Sequence, residues 1–332
     1  MNQYIGHEAQ MRGAEKYILQ DGKGDGMHFI YVRNGLGLEA WISMDRCADV
    51  SRVVFKGDNM GFFAPCGYVA PQYYDGVGEG FLKSFTAGFF TTCGLTAVGS
   101  PCTDDGEELP LHGTISNTPA ELTLLEESED ALNIHVVVRD AMLGGHKLKL
   151  ERHYRFSYLS NQFTVEDFVK NEGVAPCPYM ILYHCNMGYP LLTENSEIRI
   201  PYESMTSRNE HAEELKDLAL QSEKPQEDYE ECCYYFDVKE KENRAHAGIF
   251  NNEIQKGLVM SFDKEQLPCF TEWKNMAPVD YVLGLEPGNC TPDGRDVLRA
   301  NNTLKFLQPE EIGVTGVRFY FTRNKESWEN RF

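Results

Sequence analysis

The chain has 332 residues, with 51 acidic against 31 basic side chains and a formal net charge of −20. So acidic a surface repels phosphate backbones and anionic lipid, which argues against nucleic-acid and membrane-surface partners. No run of about 18 apolar residues is present to span a bilayer, and the polar start MNQYIGHEAQ lacks the apolar centre of a secretion signal.

Ten cysteines are too sparse for a disulfide scaffold in a chain of this length; Cys232 and Cys233 are adjacent and no C-x-x-C occurs. Reduced thiols in a cytoplasmic protein are expected.

In chain order, strand patterns dominate. His28 to Val32 is a short β-rich run. Leu132, Ile134, Val136 and Val138 alternate with polar residues, as do Phe163, Val165 and Val169, and later Val317, Phe319 and Phe321. Period-2 alternation marks strands with one face in a core. Shorter runs suggest strands at Lys147 to Phe156, Tyr179 to His184, Glu197 to Pro201, Cys232 to Val238, Gly257 to Phe262 and Thr303 to Phe306. Gly, Pro, Asn and Asp punctuate them at the spacing of sandwiches and barrels. One all-β domain over residues 1–332, built of large antiparallel sheets with few short helices, is predicted.

Between Gly57 and Pro119 the chain is rich in Gly, Pro and aromatic residues, including Tyr68, Tyr73, Tyr74 and Phe81. This composition predicts long ordered loops rather than regular strands. Helix signals are thin; the best is Asn209 to Leu220, with Asn209 as cap and acidic residues in the first turn. The acidic stretch Gln221 to Glu231 reads as an exposed loop.

The polar residues worth singling out lie at strand ends. YVLGLEPGNCTPDGR, Tyr281 to Arg295, reads as an apolar strand ending on Glu286, with a turn at Pro287 and Gly288. A carboxylate at such a place is partly desolvated and suited to general-base work near neutral pH. His184 ends another apolar run, with Asn186 close behind, and His112 is followed by Gly113. Arg46 and Asp49 lie in DRCADV. A histidine and a carboxylate on two sides of a small polar molecule form an acid/base pair. Each of these residues alone is more often structural; their shared placement beside Gly or Pro is what points to a site. No H-x-x-x-H helix, no G-x-G-x-x-G in a βαβ unit, no phosphate loop and no G-x-S-x-G elbow occurs, so neither metal nor cofactor is expected.

Taken together, GFFTTCGLTAVGSP, LPLHGTISNTPAE, LYHCNMGYPLL and YVLGLEPGNCTPDGR, with NGLGLEAWISMDRCADVSRVVFKG nearer the start, resemble the bacterial aldose 1-epimerase-like proteins of the galactose mutarotase-like superfamily. The resemblance implies a β-supersandwich with a sugar site in an open concave groove. It implies sugar anomer exchange, with Glu286 as the base on the anomeric hydroxyl, His184 as the acid on the ring oxygen and His112 orienting the sugar. By the same resemblance Arg46, Asn186, Lys274 and Arg295 are expected to contact the substrate. One departure stands out: Thr114 follows His112-Gly113, where related chains tend to carry arginine, so a guanidinium fork is missing there. A non-catalytic sugar-binding protein on the same scaffold is the alternative. A lyase or glycoside hydrolase would need a second carboxylate, for which Asp49 is the candidate.

Overall fold

The computed structural model describes residues 3–332, with the side chain of Leu122 left aside. Three large sheets, all antiparallel, make up the molecule. The first has five strands, Gly13–Ile18, His28–Arg33, Leu38–Ser43, Asp49–Phe55 and Asp58–Asn59, in sequence order. The second has nine; at its heart lie Ala131–Ala141, Lys147–Ser157, Gln162–Asn171 and Ile312–Thr322, paired in that order. The third has six, in the order Tyr202–Ser207, Cys232–Val238, Cys269–Asn275, Val282–Gly288, Met180–Met187 and Phe90–Leu95.

The alternating strands of the second sheet show why the pattern was readable. In Ala131–Ala141 the apolar residues Leu132, Ile134, Val136 and Val138 are buried, while Asn133, His135 and Arg139 face outward. A continuous apolar cluster joins Ile30, Ile42 and Val53 of the first sheet to Leu150, Phe163 and Phe319 of the second and Tyr183 and Leu285 of the third. Arg152, fully buried, ties all three: it donates to Asp167 on its own sheet, to Asp49 on the first, and to the Thr92 hydroxyl on the third. The Asp49 carboxylate thus belongs to a buried ion network and does not stand in a groove as a second catalytic acid.

Several boundaries differ from expectation. The strand Val282–Gly288 runs through Glu286 and Pro287 instead of turning after Glu286. Pro287 still costs a ladder bond. The pairing of this strand with Met180–Met187 shows Leu182 opposite Gly288 and Cys185 opposite Leu285, with no pairing recorded at the two positions between. The predicted helix shrinks to Glu210–Glu214 and a 3-10 turn, Lys216–Leu218; Asn209 is its cap, its side chain accepting from the Ala212 amide. Near Thr303 only Phe306–Leu307 is extended. The loop-rich region holds one full strand, Phe90–Leu95. It is buried on both faces, so it shows no alternation to betray it. All ten cysteines are free thiols. Among the described residues no helix is long and apolar enough to cross a membrane.

Candidate active site

The site is a row of side chains across one face of the six-stranded sheet. The register that pairs Leu182 with Gly288 and Cys185 with Leu285 sets His184 directly opposite Glu286. On the far side Glu286 faces Thr271, and Thr271 faces Tyr235. One register step along, Gly284 lies opposite Trp273, and Trp273 opposite Cys233. Residues two apart on a strand share a face, so Thr271 and Trp273 look into the same space as His184 and Glu286.

His112 arrives from outside the sheet. Its backbone takes a left-handed φ of 58°, unusual for a residue with a side chain, and is held by hydrogen bonds from its amide to the Gly99 carbonyl and from the Gly94 amide to its carbonyl. Gly113, also at positive φ, cannot be replaced without collision, because a Cβ there would strike the carbonyls of Gly94 and Ala97. The Gly99 amide donates to Nδ1 of His112 at 3.4 Å, which leaves Nε2 to carry the ring proton.

The three residues meet around one cavity of about 220 Å³. That is the room of roughly seven waters at about 30 Å³ each, the scale of one monosaccharide. His184 Nε2 stands 3.2 Å from Glu286 Oε1, and the rings of His112 and His184 are 5.4 Å apart, edge to face. Phe85 and Trp273 pack edge-on against His184, at 5.1 and 5.3 Å. Buried at 5% and 2% exposure, His184 and Glu286 have almost no water to stabilise charge. Burial lowers His184 to about 4. Burial likewise holds His112 well below the usual histidine range, reinforced by His184 and Arg208. Burial raises Glu286 well above the usual carboxylate range; the Glu231 charge adds to this and Arg208 opposes it. Burial thus disfavours the charged form of all three groups. His184 Nδ1, Glu286 Oε1 and Thr271 Oγ1 are all buried with no directed hydrogen bond from this chain.

The four residues expected to contact substrate lie elsewhere. Arg46 donates to the carbonyls of Ser116, Val69 and Ser84. Asn186 donates to the carbonyls of His184 and Ala87. Lys274 is buried on the opposite face of its strand, where it donates to the carbonyls of Leu218 and Gln221 and pairs with Glu223. Arg295 pairs with Asp104 and Glu107. None of the four lines the cavity with His112, His184 and Glu286.

Other residues line the cavity. Trp273 forms a wall, and its Nε1 donates to Glu231 at 2.7 Å. Arg208 follows the edge strand Tyr202–Ser207; its Nη2 donates to Ser100 Oγ at 2.8 Å and its Nε is 3.9 Å from Asp293. A guanidinium thus reaches this cavity although Thr114 supplies none. Trp273 had a readable signal, because it is Lys274's neighbour and so points to the other face. Arg208 and Glu231 had none: they border an irregular acidic connection that only folding brings over the sheet.

The chain as folded is a mutarotase-like β-supersandwich. It spans 97% of its own length and 88% of the other chain in superposition on a crystal structure from Klebsiella pneumoniae named a "putative aldose 1-epimerase", with TM-score 0.91 and 26% identity. A galactose mutarotase-like protein from Clostridium acetobutylicum superposes with TM-score 0.68 and 14% identity, over 94% of this chain and 99% of that one. The galactose 1-epimerase of Lactobacillus acidophilus does so with TM-score 0.64 and 13% identity, over the same shares. At those two identities the likeness is one of fold. The chain belongs to the family described as domain of unknown function DUF4432, which matches residues 24–320. No curated protein matches its sequence.

Proposed function

We propose that the protein interconverts the α and β anomers of a monosaccharide by acid/base ring opening in the cavity of His112, His184 and Glu286. The observation that carries this reading is the 3.2 Å approach of His184 Nε2 to Glu286 Oε1, both buried, at the wall of a cavity of sugar size. At that distance a small turn of either group aligns a hydrogen bond along which one proton passes. Burial, which raises Glu286 and lowers His184, favours it on the carboxyl. Its passage to His184 gives a carboxylate that accepts the proton of the anomeric hydroxyl and an imidazolium that protonates the ring oxygen. The C1–O5 bond then breaks, the free aldehyde turns about its C1–C2 bond, and closure on the other face returns both protons. Arg208 favours the ionised carboxylate, and the flat face of Trp273 suits the C–H side of a pyranose. His112, with Nε2–H directed by the Gly99 contact, donates to a sugar oxygen and orients it. The resemblance of the fold to named aldose 1-epimerases supports the same reading.

NMR exchange spectroscopy across a panel of aldoses tests it. Faster anomer exchange with at least one sugar, lost by about a hundredfold or more in Glu286→Gln, is expected. A folded protein that accelerates none, yet binds a sugar by calorimetry, would instead establish the binding-only alternative.

A further inference from the structure

A second cleft, of about 130 Å³, lies on the nine-stranded sheet, a different sheet from the one that carries His184 and Glu286. Its floor is a row of outward side chains set by strand register. Arg318 lies opposite Ser261, and Ser261 opposite His246. Tyr320 and Arg244, two residues along from Arg318 and His246, share that face, while Val317, Phe319, Ala245 and Ala247 point into the core. Two walls rise from this floor. One is the turn between Glu240–Lys241 and Arg244–Asn251, which pair as a hairpin. The other is the segment after the helix Lys325–Glu329, held on the sheet by Trp328 against Phe250 and Val259. Lys241 joins the walls, its Nζ donating to the carbonyls of Asn330 and Phe332.

Four cations, Lys241, Arg244, Arg318 and Arg331, line the cleft against one acid, Glu242. Elsewhere on the same sheet Arg139 pairs with Glu121 and Glu172, Arg155 with Asp130 and Lys170 with Glu310, whereas none of these four is in a salt bridge among the described residues. The Arg331 guanidinium lies over the Tyr320 ring at 3.8 Å, a stack that occupies its face and leaves its N–H edge. Arg244 gives one donor to the Ser261 hydroxyl and one to the Ser261 carbonyl and keeps the rest. Arg318, exposed, makes no hydrogen bond with the described residues. The gathering of like charge has a cost. Burial holds the Arg244 guanidinium below its usual value, and the Arg318 charge adds to this, with Asp263 and Glu166 opposing. Burial also lowers His246; its bond to the Lys241 backbone opposes this, and the charges of Arg244, Lys241 and Arg331 reinforce it. An anion set among these groups would favour the charged form of each.

Size and the rest of the surface select the kind of anion. The room is that of about four waters at roughly 30 Å³ each, the scale of one phosphoryl group. Guanidinium forks match the oxygens of such a group in pairs. An extended polyanion or an anionic membrane would meet, outside the cleft, the repulsion of a chain of net charge −20. A single phosphate inside it is largely screened from charges more than about 8 Å away.

We propose that this cleft binds the phosphate group of a small molecule, held between Arg244, Arg318 and Arg331.

Calorimetry of the whole protein at low ionic strength, with inorganic phosphate and with glycerol phosphate as probes, tests the assignment. One equivalent of at least one probe is expected to bind, with a Kd of about 1 mM or tighter. Tighter binding of glycerol phosphate assigns the site to a phosphomonoester, and equal or tighter binding of inorganic phosphate assigns it to the free ion. Arg318→Gln, at an exposed position, is expected to keep the circular-dichroism spectrum and weaken binding by about tenfold or more. Arg244→Gln combined with Arg318→Gln is expected to weaken it further, and Arg52→Gln, exposed on the first sheet, to leave it unchanged. Binding of neither probe, binding that persists in the folded double variant, or chloride competing as well as phosphate at equal concentration would overturn the proposal.

Discussion

Gly284 and Glu286 share one face of their strand, two residues apart, and a Cβ on Gly284 would collide with Oε1 of Glu286 and press against the Trp273 side chain. The glycine keeps clear the space into which the carboxylate and the indole both project. Gly284→Ala is therefore expected to turn the carboxyl away from His184 and lower the anomer-exchange rate at least tenfold. The fold should lose only about 1–3 kcal/mol, the ordinary cost of overpacking. Exchange NMR alongside denaturant unfolding separates the two effects. Unchanged exchange in the alanine variant would mean that the carboxyl has no need of its position.

Trp273 is expected to act on binding more than on chemistry. Its ring walls the cavity and its Nε1 fixes Glu231. Trp273→Ala should raise KM by about ten- to a hundredfold, one to two steps of about 1.4 kcal/mol, and lower kcat far less. Trp273→Phe, which keeps the flat face and drops the hydrogen bond to Glu231, should fall between.

The pH profile discriminates between charge states. Activity needs one proton on the His184–Glu286 pair. With ordinary values of 6.5 and 4.5 that state would occupy only the interval between them, and activity would already be falling at pH 7. Burial moves the acid limit down to about 4 and makes the raised Glu286 carboxyl set the alkaline limit. The rate should drop on the acid side only near pH 4, where His184 gains a second proton for the pair. On the alkaline side it should drop only as the raised Glu286 carboxyl ionises, well above 4.5. Rates of anomer exchange from pH 4 to pH 9 check this, and the two limbs report the pair as a whole. A rate that already falls between pH 6 and pH 5 on acidification would contradict it.

Glu272 gives a stability prediction independent of activity. It lies on the buried face of the strand that carries Trp273, fully buried, with neither carboxyl oxygen hydrogen-bonded. Burial raises it to about 8, with Lys274 opposing. A carboxyl whose folded value is raised favours the fold fully below its unfolded value near 4.5 and loses that contribution as pH rises toward 8. Wild-type stability should therefore decline from pH 5 to pH 8. Glu272→Gln should flatten that decline and be the more stable protein at pH 8. Thermal melts of both proteins at the two pH values provide the check.

How much of this could be read from the residues alone depended on locality. Alternation along Ala131–Ala141 and Gln162–Asn171 gave the sheets, because each inward side chain is decided by its own strand. His112, His184 and Glu286 were legible because glycine, proline and apolar runs beside them mark local backbone. Arg46, Arg295, Asn186 and Lys274 were singled out for their chemistry, yet carbonyls and carboxylates distant in sequence hold all four; such partners are invisible to any local pattern.

What the sequence determined by itself was the strand content, the acidic surface and the local backbone beside His112, His184 and Glu286. Only the tertiary structure decided that His184 stands opposite Glu286, that Trp273 and not Lys274 faces them, and that Arg208 comes over from a connecting segment. Register between strands sets those neighbours. It depends on how whole sheets pair and bury their faces, which no short stretch of chain encodes.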